Sequence, residues 1–534
     1  MRKHALLLLT ILLCAAGAIS LSAPKGPSLT GGPVGACFVA ASKYDAALAG
    51  KEQIAFDPGA IQFEGLDVPY DAEQNTVYIS QNCDTSRWEG TLTARDKNAR
   101  IYILEDSDGN KQQSIKEGRV FKAAVVWDRT YMECSFVFSG LPVISLADRD
   151  EEKADKSERR GRILVFDPYI DVCSEYSCIF HIRGNTSVIF DKKSYKLVLC
   201  DGSGNPIKES LLGLRKDDDW ILNSLSTDRT LAREKVCYDL WKRLNLMQEK
   251  PVPSSEIRYC EVVLNNKYVG VYGLMMPIDR KLMQMEPGDI LYRIKIWYEE
   301  MDIDGRLTDY NGELEIPQKN GFNYAEIKYP NIEGSGCIWD PLQMYQDMVF
   351  ETGDMSEMTE NGIVLDLDNF IFHELFCEMT RACDNSWKNV YIAAYGDGKG
   401  GYVLRETIWD LNYTFGEGFV WDPDHGNTVF LPETTDTYKL RYDRNYGYSR
   451  LTHIIDGIRD DTAKKWIKWR SEGISPDYVK SLFEENSDLL DKSGAFNRNE
   501  EIWYGTGEEY SFEKISDWIT GRFRFLDEMY GFTG

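Results

Sequence analysis

This chain of 534 residues contains few histidines, and its cysteines lack a regular spacing. Only five histidines occur, none in a recognisable nucleophile motif such as Gly-x-Ser-x-Gly, which disfavours a serine hydrolase with a histidine base. The 12 cysteines are scattered without a repeated spacing, which excludes a small fold held together by disulfides. The 86 acidic residues leave a glycosidase as an alternative, but nothing in the sequence selects a catalytic pair among them.

Basic residues are fewer than acidic ones: 61 lysines and arginines and 86 acidic residues give a net charge of −25. A nucleic-acid-binding protein needs a basic face to neutralise phosphates, so the balance argues against that class. The same balance argues against docking on anionic lipid. A basic polypeptide is the partner that this charge favours.

Long hydrophobic runs are lacking apart from one near the amino terminus. A basic pair at residues 2–3 precedes an apolar run at 5–14, and small residues follow at 16–18. This order is typical of a secretory signal peptide, to which we assign residues 1–22. An uncleaved anchor and lipidation are the alternatives, but the run is short for a membrane span. We therefore expect a secreted or cell-surface protein with no stable membrane span after signal cleavage.

The rest of the chain divides by composition into three parts. Residues 23–147 alternate short β-favouring runs with Gly, Asp and Asn, which predicts a small all-β, sandwich-like accessory domain. Residues 148–162 are almost entirely charged, which is typical of a solvated linker. Residues 163–534 begin with strands, one helix with an apolar stripe at Val236, Leu240 and Leu244, and a hairpin that turns at 265–267. They become mostly helical beyond residue 340, and a last amphipathic helix is predicted at 512–530. The predicted fold class is therefore α+β.

The segment from Asp384 to Asn389 carries the strongest catalytic pattern. It follows an apolar helix and enters a strand, and its Asp and Asn are five positions apart, as in a protein-kinase catalytic loop. Asp410 stands just after another predicted strand, where a kinase places its magnesium-binding aspartate. Ordinary turn residues also produce this spacing, and Ala382-Cys383 replaces the usual His-Arg pair, so the loop by itself does not select a kinase.

Six blocks in order resemble the spore-coat CotH kinase family, over roughly residues 160–530. The blocks are RGNTS (183–187) with KKSYK (192–196), LGL (212–214) with DDWIL (218–222) and DRTLAR (228–233), VLNNKYVGVY (263–272), EIKYP (326–330), DNSWKN (384–389) and WD (409–410). Several blocks in sequence are far more specific than any one of them.

The resemblance implies a divergent two-lobed protein-kinase-like domain over residues 163–534. Such a domain would bind ATP with Mg²⁺, or with Mn²⁺ or Ca²⁺ as alternative ions, and phosphorylate Ser or Thr of a protein acceptor. The implied catalytic residue is Asp384. The implied metal ligands are Asp384, Asn389, Asp410 and Asn412. The implied nucleotide-binding residues are Arg183, Lys193, Lys196, Arg233 and Glu234, with Glu234 holding one of the two lysines as an ion pair.

One position departs from the family pattern, because Asn412 stands where a second acid is common after Trp-Asp. An amide oxygen still offers a metal a ligand, but it brings no charge. A catalytically inactive surface or coat scaffold, or an adhesin, built on the same fold is therefore the alternative function. For an active enzyme, the acidic composition favours acceptors rich in Lys and Arg around the Ser or Thr.

Overall fold

The structure is a computed structural model that describes residues 31–106, 110–149, 157–184, 190–330, 336–385, 387–419, 428–430, 432–434, 451, 455–505 and 512–534. The signal peptide assigned to residues 1–22 lies outside these ranges, as do residues 150–156 of the predicted linker. Within the described ranges, no helix has both the length and the apolar character needed to cross a bilayer.

The first part of the chain contains short strands and three helices. The strands are β1 (Gly31–Pro33), β2 (Phe38–Val39), β3 (Glu52–Ile54), β4 (Ile61–Phe63), β5 (Leu66–Asp67), β6 (Tyr70–Asp71), β7 (Thr76–Ser80), β8 (Thr91–Ala94), β9 (Arg100–Leu104), β10 (Val120–Val126) and β11 (Thr130–Ser139). The helices are α1 (Val34–Cys37), α2 (Ala41–Leu48) and α3 (Lys111–Lys116).

One compact unit consists of the described residues of Met1–Val68, Trp88–Ser107 and Phe121–Ser135. In it β1, β8, β4 and β5 form a four-stranded sheet in that order, and β9 lies between β2 and β10 in a second sheet. The region is β-rich, but the prediction of an all-β domain is wrong. Helix α2 occupies a segment with three alanines, and alanine is the strongest helix former.

The second unit consists of the described residues of Pro69–Arg87, Asp108–Val120 and Phe136–Gly534, and it contains a closed barrel of seven strands. In barrel order the strands are β12 (Val143–Asp148), β13 (Arg159–Asp167), β14 (Val172–Arg183), β15 (Ser194–Cys200), β16 (Asp219–Asn223), β18 (Lys267–Met275) and β17 (Ile257–Leu264). The hairpin predicted around Asn265-Asn266 joins β17 to β18, and both asparagines take the positive φ angles that a tight turn requires.

The barrel corrects the domain boundary predicted from the charged segment at 148–162. β12 pairs antiparallel with β13, so that Asp148 faces Gly161 inside the supposed linker. The Arg159 guanidinium lies 3.3 Å from the Asp148 carboxylate, and both side chains are almost fully buried. Charged residues enter the barrel here because opposite charges on adjacent strands compensate each other, a pairing that composition alone does not reveal.

Helix α4 (Arg233–Asn245) follows β16, and its predicted apolar stripe is confirmed, since Val236, Leu240 and Leu244 are fully buried. Their burial follows from the spacing of four residues, which places all three on one face of the helix. The α4 residues share a hydrophobic core with the barrel strands and with the carboxy-terminal helices.

A sheet of six strands follows the barrel. Its order is β20 (Glu315–Pro317), β21 (Asn323–Tyr329), β19 (Ile290–Ile294), β23 (Val390–Gly396), β24 (Tyr402–Ile408) and β22 (Ile363–Leu365), while β25 (Glu417–Phe419) and β26 (Thr428–Phe430) form a separate pair. The helices are α5 (Asp340–Asp347), α6 (Ser356–Glu360), α7 (Leu367–Thr380), α8 (Ile458–Ser471), α9 (Pro476–Lys492), α10 (Ala495–Trp503) and α11 (Phe512–Tyr530). The predicted α+β class and the predicted last helix at 512–530 are confirmed.

Candidate active site

The site forms where β23 begins and β24 ends. These strands are antiparallel neighbours, and Val390 of β23 lies opposite Ile408 of β24. Asn389 precedes Val390, and Trp409-Asp410 follows Ile408, so the register brings the two motifs to the same edge of the sheet. The backbone N–H of Asn389 also donates to the Ile294 carbonyl on β19 at 3.1 Å, which fixes the end of the loop.

Asp384 lies in the loop between α7 and β23. Asn389 Nδ2 donates to one carboxylate oxygen of Asp384 at 2.9 Å, and Lys388 Nζ donates to the other at 3.0 Å. Burial raises the pKa of the Asp384 carboxyl to about 6, Lys388 opposes this rise, and the negative charge of Asp410 adds to it. The carboxylate is therefore held in a fixed position, with a proton affinity near that of a general base.

Asp410 and Asn389 share an unusual backbone conformation. Their φ angles are 60° and 57°, in the left-handed region that non-glycine residues seldom occupy. Asn and Asp tolerate this region best among the residues with a side chain, and such conformations cluster at functional sites. The conformation turns the chain sharply as it enters β23 and leaves β24.

Asn385 ties the two motifs together. Its side chain is fully buried, and Nδ2 donates to the Trp409 carbonyl at 2.5 Å and to the Asn389 carbonyl at 3.5 Å. Among the described residues, no hydrogen bond satisfies its Oδ1 atom. The loop that carries Asp384 is thus bonded directly to the backbone that carries Asp410.

Two arginines lie against the indole ring of Trp409. The guanidinium carbon of Arg183 is 5.5 Å from the ring centroid, and that of Arg293 is 6.0 Å away. Arg183 is the last residue of β14 in the barrel, whereas Arg293 belongs to β19 in the six-stranded sheet. Positive charge from both structures therefore converges beside Asp410.

Glu234 lies in the first turn of α4 and is buried. Asn223 Nδ2 donates to its carboxyl group at 2.7 Å. Burial and the negative charge of Asp410 raise the pKa of Glu234 to about 8, while the Asn223 hydrogen bond opposes the rise. Arg183 also opposes it, so the cation that acts on Glu234 is Arg183.

The structure does not bring Glu234 together with either of the two predicted lysines. Lys193 Nζ donates to the carbonyl of Phe190, and Lys196 Nζ lies 3.1 Å from the Asp219 carboxylate. Lys196 does share a barrel face with Arg183, because His181 lies opposite Lys196 and is two residues from Arg183. Arg183 ends β14, and its charge acts on Glu234 in α4, which was not evident from the sequence.

The other two predicted residues lie next to the site, where their side chains bond to protein groups. Arg233 forms ion pairs with Asp228 at 2.6 Å and Glu417 at 3.1 Å, so it braces the start of α4 against the segment after Asp410. Asn412 Nδ2 donates to Thr227 Oγ1 at 2.8 Å. That bond uses the amide nitrogen of Asn412 and leaves the Oδ1 oxygen as the group suited to a cation.

Sequence reasoning missed Lys388 and Arg293. Lys388 stands inside the DNSWKN motif, four residues after Asp384. This spacing was a usable signal for the ion pair that the two residues form in the structure. Arg293 had no such signal, because it reaches Trp409 only through the pairing of β19 with β23, in which Arg293 lies opposite Tyr391.

The donor set fits a hard divalent cation. Asp384, Asp410 and the amide oxygens of Asn389 and Asn412 are the oxygen ligands that Mg²⁺ prefers, and nucleotide phosphates normally complete its coordination. In the described part of the chain, no group of three or more His, Cys, Asp or Glu side chains is arranged to bind a metal by itself. The negative charge of Asp410 contributes to the raised pKa of Asp384, and a bound cation would oppose this effect.

Comparison with known proteins assigns the family. The family model described as "CotH kinase protein" matches residues 180–526, which include the barrel from β14 onward, the six-stranded sheet and the site. The chain therefore belongs to the CotH kinase family, a family of atypical kinases, as its sequence motifs predicted. A comparison with curated proteins finds no match.

Proposed function

We propose that this chain is a secreted, two-lobed atypical protein kinase that transfers the γ-phosphoryl group of Mg-ATP to a Ser or Thr hydroxyl of a protein acceptor. The observation that carries the proposal is the convergence of Asp384, Asn389 and Asp410 at one edge of the six-stranded sheet. Family membership supports kinase-type phosphotransfer, and the signal pattern at 1–22 supports export. In this proposal the barrel with α4 corresponds to one lobe, and the six-stranded sheet with its helices to the other.

The chemistry depends on position and charge, since phosphoryl transfer leaves little covalent work for the protein. Asp384 accepts the proton of the acceptor hydroxyl while the hydroxyl oxygen bonds to the γ-phosphorus and the bond from phosphorus to ADP breaks. Its raised pKa suits this role because the carboxyl group binds a proton more readily than an exposed aspartate. Lys388 holds the Asp384 carboxylate in orientation.

Mg²⁺ would be held by Asp410, Asn389, Asn412 and a carboxylate oxygen of Asp384. When bound, the ion supplies charge neutralisation for the phosphates. Asn385 keeps the two ligand-bearing segments at a fixed separation through its bond to the Trp409 carbonyl. Trp409 and the two arginines cover the adjacent side of the site.

The acceptor in this proposal is a basic protein, for example a Lys/Arg-rich surface or coat protein. Glu300 acts on the site, and two further acidic residues, Asp302 and Asp304, follow it closely in sequence. The charge of Glu300 acts on the pKa of both Asp384 and Lys388, so it is near the place where an acceptor hydroxyl would enter. Negative charge at that position attracts a basic peptide.

The test combines calorimetry of ATP binding, with and without Mg²⁺, with an autophosphorylation assay using radiolabelled ATP. We expect Mg-dependent binding and activity in the wild type, and loss of activity by orders of magnitude in Asp384→Asn and Asp410→Asn. Asp397→Asn is the matched control, because Asp397 caps the turn at the opposite end of the β23–β24 hairpin. Absence of Mg-ATP binding in the folded wild type would refute the proposal and favour the scaffold or adhesin alternative.

A further inference from the structure

Arg183 and Arg293 form a cationic pair whose hydrogen-bonding groups the described residues only partly use. In the described part of the chain, the Arg183 guanidinium makes no hydrogen bond or ion pair, and Arg293 Nε is buried without a hydrogen-bond partner. Burial and the nearby charge of Arg293 lower the pKa of Arg183, because each positive group disfavours the other. Asp410 and Glu234 oppose that shift, but neither forms an ion pair with the guanidinium, so its N–H groups remain available to an anion.

Among the described residues, Glu326 is the one carboxylate bonded to Arg293, and it is shared among several cations. Arg293 Nη1 lies 3.3 Å from Glu326, while the amino groups of Lys295 and Lys328 lie 2.5 and 3.5 Å from the same carboxylate. Burial by itself would raise the pKa of Glu326, but these three cations lower it to about 2. The carboxylate is therefore ionised, and its single negative charge is shared among three cations.

Both guanidinium groups lie over the ring of Trp409. Stacking on an aromatic face uses the plane of a guanidinium and leaves its N–H groups directed outward at the edge. Arg293 also lies 5.7 Å from the Tyr391 ring centroid, so two rings restrict its side chain. Restricted, outward-directed N–H groups match the paired oxygens of a phosphate.

We propose that Arg183 and Arg293, supported by Trp409, form a phosphate-binding subsite for the terminal phosphates of a nucleoside triphosphate. This inference rests on the proposed function for the identity of the ligand, because Asp410 follows Trp409 directly and the metal ligands adjoin the subsite. The subsite assigns to two arginines, one from the barrel and one from the six-stranded sheet, the phosphate contact that a lysine makes in other kinases. Arg293 is thereby a substrate-binding residue that the sequence motifs did not include.

The first experiment measures binding of inorganic tripolyphosphate by calorimetry in metal-free buffer. This probe has no adenine and needs no Mg²⁺, so it tests the anion subsite separately from the rest of the proposed ATP site. We expect the wild type to bind it, and Arg183→Met and Arg293→Met to bind about 10- to 100-fold more weakly, as expected for a lost hydrogen bond to a charged group. Arg280→Met is the matched control, because Arg280 is an exposed arginine that stacks on Tyr329.

The second experiment compares ATP with AMP in the same variants and adds Arg293→Lys, which keeps the charge and is the more conservative change for folding. We expect the arginine variants to lose ATP affinity with AMP affinity unchanged, and Arg293→Lys to be intermediate, because a lysine cannot bind a phosphate in bidentate fashion. Wild-type ATP affinity in Arg293→Met and Arg293→Lys would overturn the subsite while leaving the proposed function intact. A wild type that binds tripolyphosphate but not ATP would overturn the proposed function and the triphosphate assignment, and would leave only an anion site.

Discussion

Metal binding at Asp384 is expected to depend on pH in a range where most aspartates no longer titrate. Burial raises its pKa from 3.8 to about 6, and this shift of about two units corresponds to about 3 kcal/mol of penalty on the charged form. The raised pKa means that folding opposes ionisation of this carboxyl group. Its contribution to stability is therefore more favourable at low pH and is lost as the pH rises from about 4 to about 6.

A divalent cation competes with this proton. Below pH 6 the affinity for Mn²⁺, measured by electron paramagnetic resonance with saturating ADP, should fall by about tenfold per pH unit, whereas it should be nearly constant between pH 7 and 8. The titration of ADP itself is measured in parallel without protein and subtracted. Binding at pH 5.5 should also release a proton, which calorimetry in two buffers of different ionisation enthalpy detects.

Asp384→Asn is the informative variant, because it keeps the shape of the side chain and cannot titrate. We expect weaker Mn²⁺ binding at every pH and no remaining step near pH 6. Asp397→Asn, in the turn at the far end of the same hairpin, should behave as the wild type. An affinity that does not change between pH 5 and 7 in the wild type would show that Asp384 is not a metal ligand or that its pKa is not raised.

Three further predictions test other parts of the structure. Arg522→Met should lower the free energy of unfolding by about 3–5 kcal/mol, because it leaves the buried Glu378 carboxylate without its ion-pair partner. In thermal unfolding, the double variant that also carries Glu378→Met should show a smaller loss of stability than Arg522→Met. A chain that begins at residue 160 should aggregate, because it lacks β12, which pairs with both β13 and β17 and closes the barrel; soluble, nucleotide-binding protein from that truncation would contradict the topology. Basic Ser-containing peptides should be phosphorylated faster than acidic ones, and their apparent KM should rise with salt; equal rates on a peptide array would refute the electrostatic argument.

The sequence was most informative where short-range patterns determine structure. The stripe of Val236, Leu240 and Leu244 predicted one face of a helix, and the Asn265-Asn266 turn predicted a hairpin, because both features depend on residues close together in the chain. The order of motifs also identified the family, and the Asp384–Asn389 spacing predicted the loop that the structure places at a sheet edge.

Composition misled at the charged segment from 148 to 162. Arg159 and Asp148 are buried against each other on neighbouring barrel strands, so charges that predicted a solvated linker lie within a folded core. A single sequence does not indicate which distant charges will become partners, because that depends on strand pairing.

The sequence by itself determined the kinase family and the α+β class, and it predicted Asp384, Asn389 and Asp410 as site residues, since each of these depends on local patterns or on motif order. Only the tertiary structure decided which cations accompany them. Lys196 is held by Asp219, whereas Arg183 and Arg293 reach Trp409 from two different sheets. The physical reason is that strand register and barrel closure determine which side chains meet. The two arginines that meet Trp409 are each more than 100 positions from it in the chain, and no local sequence pattern predicts such contacts.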